Sequence, residues 1–268
     1  MARDLAAGFQ TVREEEVNAQ LACLDAVRAR ASTQAWKHAA IDLMGPKPGD
    51  RIIEVGCGAG DDAQLIAASI VPDGSVVAVD SSEAMVVEAR ERAAGAGLPI
   101  EFRVGDALAL DFADGAFDAA HAERLLVHVA DGFAALRELV RVTRPGGRVV
   151  ITEPDMETWL VDGFDDDVTR RMMAFLRASF ADAWGGRRLV RWFHAAGLRD
   201  VECRGDASVW TEPDLVVGVM RLDEQVPRAV DARVLSAAEG AAWLEDLQRG
   251  PACFASATLF TCAGTVPG

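Results

Sequence analysis

The sequence predicts an α/β fold: a doubly wound, mostly parallel sheet with helices on both faces. Short apolar runs alternate with helix-forming stretches from residue 51 to residue 154, and parallel strands need such crossover helices. The first run, RIIEV at 51–55, leads into Gly56, Gly58 and Gly60 and then into AQLIAASI. Strand, glycine turn and helix in that order open a nucleotide-binding sheet. The connections are short, with no internal repeat or low-complexity linker among them.

Residues 1–45 read as helices. Val17, Leu21, Leu24 and Val27 fall near helical spacing, and WKHAAIDLM forms a second helix that stops at Gly45-Pro46. Placed ahead of the first strand, these helices make a lid. Phe9, Gln10, Trp36 and His38 are its candidates for facing a site, and packing on the sheet is the alternative for the apolar ones. Strands follow at 75–80, 99–106, 117–121 and 148–154, with helices at SSEAMVVEARERAAGAG and at 133–143. Residues 155–190 read as helical, and Asp165-Asp166-Asp167 reads as a helix cap rather than a metal site. Trp159, Phe164, Met172, Met173, Phe175, Phe180 and Trp184 are candidates for an apolar wall or a local core. RRLVRWFHAAG is a helix and LRDVECRGDASVW a strand. The stretch 213–250 is helical with a capping box at Ser236 and Glu239, and CFASATLFTCAG is a last, antiparallel strand. The chain divides as one domain: lid 1–45, core 46–155, helical insertions 156–190 and 213–250, and closing strands 191–212 and 251–268.

Composition bounds the partners. The chain has 268 residues, half of them hydrophobic, enough for one large α/β domain. A formal charge of −15 argues against nucleic acid, whose phosphates need a basic surface. Five cysteines without a CxxC pair indicate neither a disulfide framework nor a zinc site, and no metal is expected. The sequence begins without an apolar leader and holds no run long enough for membrane insertion, so a cytoplasmic protein is expected, with oligomerisation left open.

The ligand class follows from the glycine turn. A dinucleotide fingerprint needs a sixth-position glycine, and Asp61 stands there. Asp61 and Asp62 at a helix N-terminus would repel a pyrophosphate. They would tolerate a phosphate-free, cationic cofactor such as S-adenosyl-L-methionine (SAM). Asp80, at the end of the second strand, is placed to bind both hydroxyls of a ribose, with Ser81 beside it; capping of the next helix is the alternative.

Further on, Gly105-Asp106-Ala107, Leu110, Phe112, Asp114, Phe117 and Asp118 form a run, and Arg141, Arg144 and Pro145-Gly146-Gly147 form another. Together with the glycine turn these resemble the class I SAM-dependent methyltransferases, over roughly residues 48–155. The resemblance implies a Rossmann-like sheet of seven strands in the order 3-2-1-4-5-7-6 with the seventh antiparallel. It also implies that Asp106 and the Ala107 amide meet adenine, that Glu54 supports the glycine turn and the methionine amino group, and that Gly56, Cys57, Gly58, Gly60 and the backbone at His121 line the cofactor.

No Asn/Asp-Pro-Pro-aromatic turn follows the fourth strand, which disfavours methylation of DNA adenine or protein glutamine. Instead Arg124 and His128 resemble the R-x-x-x-H of the ubiquinone/menaquinone C-methyltransferase-like group. His128 is thereby the candidate general base, since a near-neutral imidazole suits proton removal; a structural histidine is the alternative. Glu153 and Asp155 lie at the carboxyl edge of the sheet, where ligands bind in open α/β folds, and Glu153 is the second catalytic candidate. Arg187 and Arg188 are candidates to meet an acidic group, and His194 reads as structural. The expected function is methyl transfer from SAM to a small, mostly apolar acceptor. The alternatives are a SAM-binding regulator or cyclase that does not methylate, and an NAD(P)-dependent oxidoreductase.

Overall fold

The periodicities above materialise as sixteen elements in a computed structural model that describes Leu21 and residues 25–250 and 252–268. Most of the first predicted helix, with Phe9 and Gln10, lies outside the described residues. Helix α1 (Ala31–Met44) ends where Gly45 turns left-handed and its N–H closes onto Ile41 and Asp42 carbonyls. Then come β1 (Arg51–Val55), α2 (Asp61–Ile70), β2 (Ser75–Asp80), α3 (Glu83–Ala93), β3 (Ile100–Val104), β4 (Phe117–Glu123) and α4 (Gly132–Val142). The chain continues with β5 (Thr143–Val161), α5 (Asp166–Arg177), α6 (Gly185–Ala195), β6 (Arg199–Trp210), α7 (Pro213–Met220), α8 (Leu222–Asp231), α9 (Ala237–Arg249) and β7 (Ala255–Thr265).

The seven strands form one sheet in the order β3-β2-β1-β4-β5-β7-β6. Pairings among β1 to β5 are parallel, and β7 runs antiparallel to both β5 and β6. This is the expected doubly wound sheet. Alternate residues of its central strands face opposite sides. Ile53, Val55, Val77 and Val79 pack under α4 and α6, while Ile52, Val76 and Ala78 pack under α1, α2 and α3. Both faces are covered, which is why these strands read as continuous apolar runs.

Boundaries shift from the sequence reading, most of all in β4 and in β5, which also begins at Thr143 rather than Arg148. β4 runs two residues past His121 to Glu123. β5 does not stop at Pro154 but reaches Val161, in a stretch expected to be helical, because pairing with β7 resumes at Leu160 after an irregularity beyond Asp155. A third core forms beyond the sheet, from Met172 and Met173 of α5, Val216 of α7, Leu222 of α8 and Trp243 of α9, against Trp210 and Ala255 of the closing strands. The capping box at Ser236 and Glu239 is present, and Asp165 caps α5 through the Asp167 and Val168 amides. Among the described residues no helix is long and apolar enough to cross a membrane.

Candidate active site

Strand β1 delivers the glycine turn at the carboxyl edge of the sheet. Gly56 and Cys57 donate to the Val79 carbonyl at 2.7 and 3.0 Å, pinning the turn to the end of β2. Gly60 has φ +81°, and a Cβ there would lie 2.7 Å from the Phe102 ring, so glycine is required on both counts. Asp80 follows directly. Its Oδ2 accepts from the Gly58 amide at 2.8 Å and its Oδ1 from the Ser82 amide at 2.9 Å. Ser82, rather than Asp80 or Ser81, caps α3 by accepting from Met85. Asp106 is exposed beyond β3, with Oδ1 accepting from Leu108 at 2.8 Å and Oδ2 left to the cleft.

Asp80, Ser82 and Asp106 wall a cleft of about 690 Å³, together with Gly56, Gly58, Ser81, Ala107, Glu123, Arg124, Leu125, His128, Val129 and Ala130. Its ionisable lining residues are Asp80, Asp106, Glu123, Arg124 and His128. Glu54, Cys57, Gly60 and His121, also singled out from sequence, are not in that wall; they lie buried behind or within the turn.

Behind the turn is a polar cluster that the sequence did not reveal. Lys37 of α1, 5% exposed, places Nζ 2.7 Å from both oxygens of Asp62 and 2.7 Å from Glu123 Oε2. Burial works against its charge, yet Glu123 and Asp62 outweigh burial and hold the ammonium above its ordinary pKa. Asp61 is paired by Arg28. The two acids opening α2 are therefore neutralised from the N-terminal segment, and Glu123 is compensated by Lys37 and Arg124; Asp80 and Asp106 are the cleft acids that carry no ion pair among the described residues. Glu54, Asp62 and His121 bring ligand atoms within 4.8 Å of one another, a donor set of the kind that holds a metal ion; here the Lys37 ammonium supplies the positive charge. Burial, and then the Asp62 charge, push the Glu54 carboxyl well above its ordinary range, and burial pushes His121 down to about 4.

The segment after β4 carries the remaining candidates. Arg124 takes a left-handed conformation (φ 52°), donates its N–H to Thr152 O at 2.8 Å and pairs through Nε with Glu123 Oε1 at 2.9 Å. Glu153 is fully buried, and its Oε1 accepts from the Leu126 amide at 2.5 Å. Burial raises it to about 8 against the pull of the Leu126, Leu125 and Val127 amides. It lines neither cavity; it holds the loop that ends in His128. Burial, and then Arg124, lower His128 to about 4, so the imidazole is neutral at physiological pH.

A second cavity, of about 170 Å³, is walled mainly by Trp36, Met156, Trp159, Phe180, Trp210 and Met220. Arg124 and His128 line both it and the cleft. Other sequence candidates fall elsewhere. His38 is exposed and bonded to Gln34 O, Phe164 is 87% exposed, Trp184 is half-exposed, and Met172 and Met173 belong to the third core. Arg187 is paired with Asp155 and Arg188 with Asp182. His194 is exposed on α6.

The model of the methyltransferase domain family matches residues 46–197, more than half of the chain. The chain belongs to the methyltransferase domain family. That places it among SAM-dependent methyltransferases, and the matched span holds the glycine turn, Asp80, Asp106 and the loop to His128. It leaves out Trp36, Trp210 and Met220. An uncharacterized 37.1 kDa protein in transposon TN4556 of Streptomyces fradiae is 35% identical over 93% of this chain and 72% of its own length. Demethylmenaquinone methyltransferase of Beutenbergia cavernae is 38% identical over 46% of this chain, and the match spans 49% of that relative, about half its length. Among solved structures, Haemonchus contortus phosphoethanolamine N-methyltransferase 2 in complex with SAM has a TM-score of 0.62 at 18% identity, over 99% of this chain and 60% of that one. The sheet fold is thus shared with that solved structure.

Proposed function

We propose that this protein binds SAM in the larger cleft and directs its methyl group to a small, mostly apolar molecule held in the smaller cavity. The observation that carries the reading is that Arg124 and His128 line both spaces. A group seated in the apolar cavity therefore meets the cleft at His128. The cleft suits SAM: Asp80 and Asp106 line it without an ion pair among the described residues, Arg124 is compensated by Glu123, and no lysine is in the wall. Asp80 would hold the ribose hydroxyls through the lone pairs its two backbone donors leave free, and Asp106 would meet the adenine amino group through Oδ2. Glycine at 56 and 58 lets the backbone approach closely.

Bound SAM supplies a methyl group already activated by its sulfonium. The task left to the chain is alignment and exclusion of water, an effective-molarity effect of roughly 7–11 kcal/mol. Trp36, Trp159 and Phe180 dry the junction, with the Phe180 ring centred 6.1 Å from that of His128. The neutral His128 imidazole takes the proton that a hydroxyl, amine or acidic carbon loses on methylation. Glu153 positions it by fixing the intervening amides. Quinone-like, lipid-like and natural-product acceptors fit such a pocket, and the quinone relative points the same way. The acidic charge leaves nucleic acid out of this reading, a cytoplasmic location is part of it, and self-association is left open.

The test is incubation with methyl-labelled SAM and organic extracts of small molecules. Label should pass into an organic-soluble product as S-adenosylhomocysteine accumulates. Absence of SAM binding by calorimetry, or micromolar association with tRNA at physiological salt, would overturn the reading.

A further inference from the structure

Among the described residues, three polar groups in the wall of the apolar cavity have no hydrogen-bond partner. Gln225 is 1% exposed, lines the cavity, and bonds through neither Oε1 nor Nε2. The indole N–H groups of Trp36 and Trp159, in the same wall, are likewise unsatisfied. Buried amides and indoles nearly always find partners, because an unmade hydrogen bond forfeits the solvation the group had in water. Here three such groups come from three separate elements, α1, β5 and α8, and converge on one space. Gln225 stands between Leu222 and Ala229 on the buried stripe of α8, a position where leucine would serve packing better.

The geometry assigns to Gln225, with Trp36 and Trp159, the recognition of a neutral oxygenated ring compound that carries a carbonyl beside an N–H or O–H. This rests on the cavity being the acceptor site. Two indoles can only donate, so they call for acceptor oxygens; a carboxamide donates and accepts side by side, so it matches a carbonyl with an adjacent donor. Neutrality follows from the cations. Arg124 is already paired with Glu123, and Arg221 with Glu224 through Nη2 at 2.5 Å, which leaves no uncompensated charge in the wall for an anion. Trp36, Trp159, Trp210 and Phe180 suit a flat ring. Trp36 and Gln225 both lie outside residues 46–197, so this recognition is not part of what the family model matches.

The test uses the full chain saturated with S-adenosylhomocysteine and three probes titrated by calorimetry. These are 2-quinolone (carbonyl beside N–H), N-methyl-2-quinolone (carbonyl alone) and quinoline (neither). The wild type should prefer 2-quinolone over its N-methyl form by about tenfold or more, as expected where a site is built to pair a donor. Gln225→Leu and the volume-matched Gln225→Met should bring that ratio to about one while raising the melting temperature, since each removes two unsatisfied buried atoms. Preference retained in both variants overturns the inference, and so does a melting temperature that falls in both. Probes that bind the wild type without preference overturn the inference alone. If none of the three binds a protein that does hold S-adenosylhomocysteine, the cavity is not the acceptor site and the functional reading falls with it.

Discussion

Replacing Lys37 by methionine should destabilise the protein by about 3–5 kcal/mol at pH 8, the range for breaking a buried ion pair from one side. The side chains of Lys37, Asp62 and Glu123 are 5%, 9% and 5% exposed. One ammonium lies 2.7 Å from oxygens of both acids. Those oxygens therefore sit within roughly 5 Å of each other, and at an effective dielectric near 20 their mutual repulsion without the lysine is about 3 kcal/mol. The protein can avoid that repulsion by protonating one acid. Holding a carboxyl with an ordinary pKa near 4.5 protonated at pH 8 takes about 4.8 kcal/mol, so the two routes bracket the range of about 3–5 kcal/mol. The sign with pH follows. In the variant, a carboxyl in the fold has a pKa raised above its unfolded value, so the deficit grows as pH rises through and above the carboxylate range and shrinks toward pH 4.5. Urea unfolding of wild type and Lys37→Met at pH 5 and pH 8 measures it, and adding Asp62→Asn should recover part of the loss. A deficit under about 1 kcal/mol at pH 8, or one unchanged between the two pH values, refutes the reasoning.

Three further outcomes are expected. Asp80→Ala should weaken SAM by about 1.5–3 kcal/mol in calorimetry, the scale of charge-assisted hydrogen bonds; unchanged affinity removes the ribose assignment. His128→Ala should lower kcat by about 10²–10⁴ with SAM affinity intact. The wild-type pH–rate profile should show its acid limb near 4 rather than 6.5, because burial holds the imidazole at about 4. A limb at 6.5 speaks against His128 as the base. Glu153→Gln should behave better relative to wild type as pH rises from 4.5 to 8: the Glu153 pKa, raised to about 8, means that its ionisation opposes folding across that window. Parallel stability curves for the two proteins would contradict this.

What was legible in the sequence was local. Ile52, Ile53, Val55 and the three glycines announce a strand and a turn within ten residues, and so the parallel core could be read, while the strand order came from the resemblance to the class I methyltransferases. Asp80 and Asp106 could be placed because strand ends are fixed by the same short-range pattern. The extension of β5 past Pro154 was not legible, because it depends on β7, roughly a hundred residues later in the chain. Lys37 was missed because a lysine on a helix reads as solvated. Its spacing from Thr33, Ala40 and Met44, all on the buried face, was a usable signal, but its partners lie 25 and 86 residues away. Gln225 was hidden for the same reason: nothing nearby in sequence marks a glutamine as buried and unpaired.

The third core has a consequence for how this protein can change. It closes the apolar cavity from α5, α7 and α8, while the glycine turn and its anchors rest on the two cores that flank the sheet. Substitutions at Met220 or Gln225 would reshape one space without touching the strands that build the other. Acceptor choice can thus drift by single steps over a constant chemistry, and a graft of residues 213–250 from a relative would be the laboratory form of that drift.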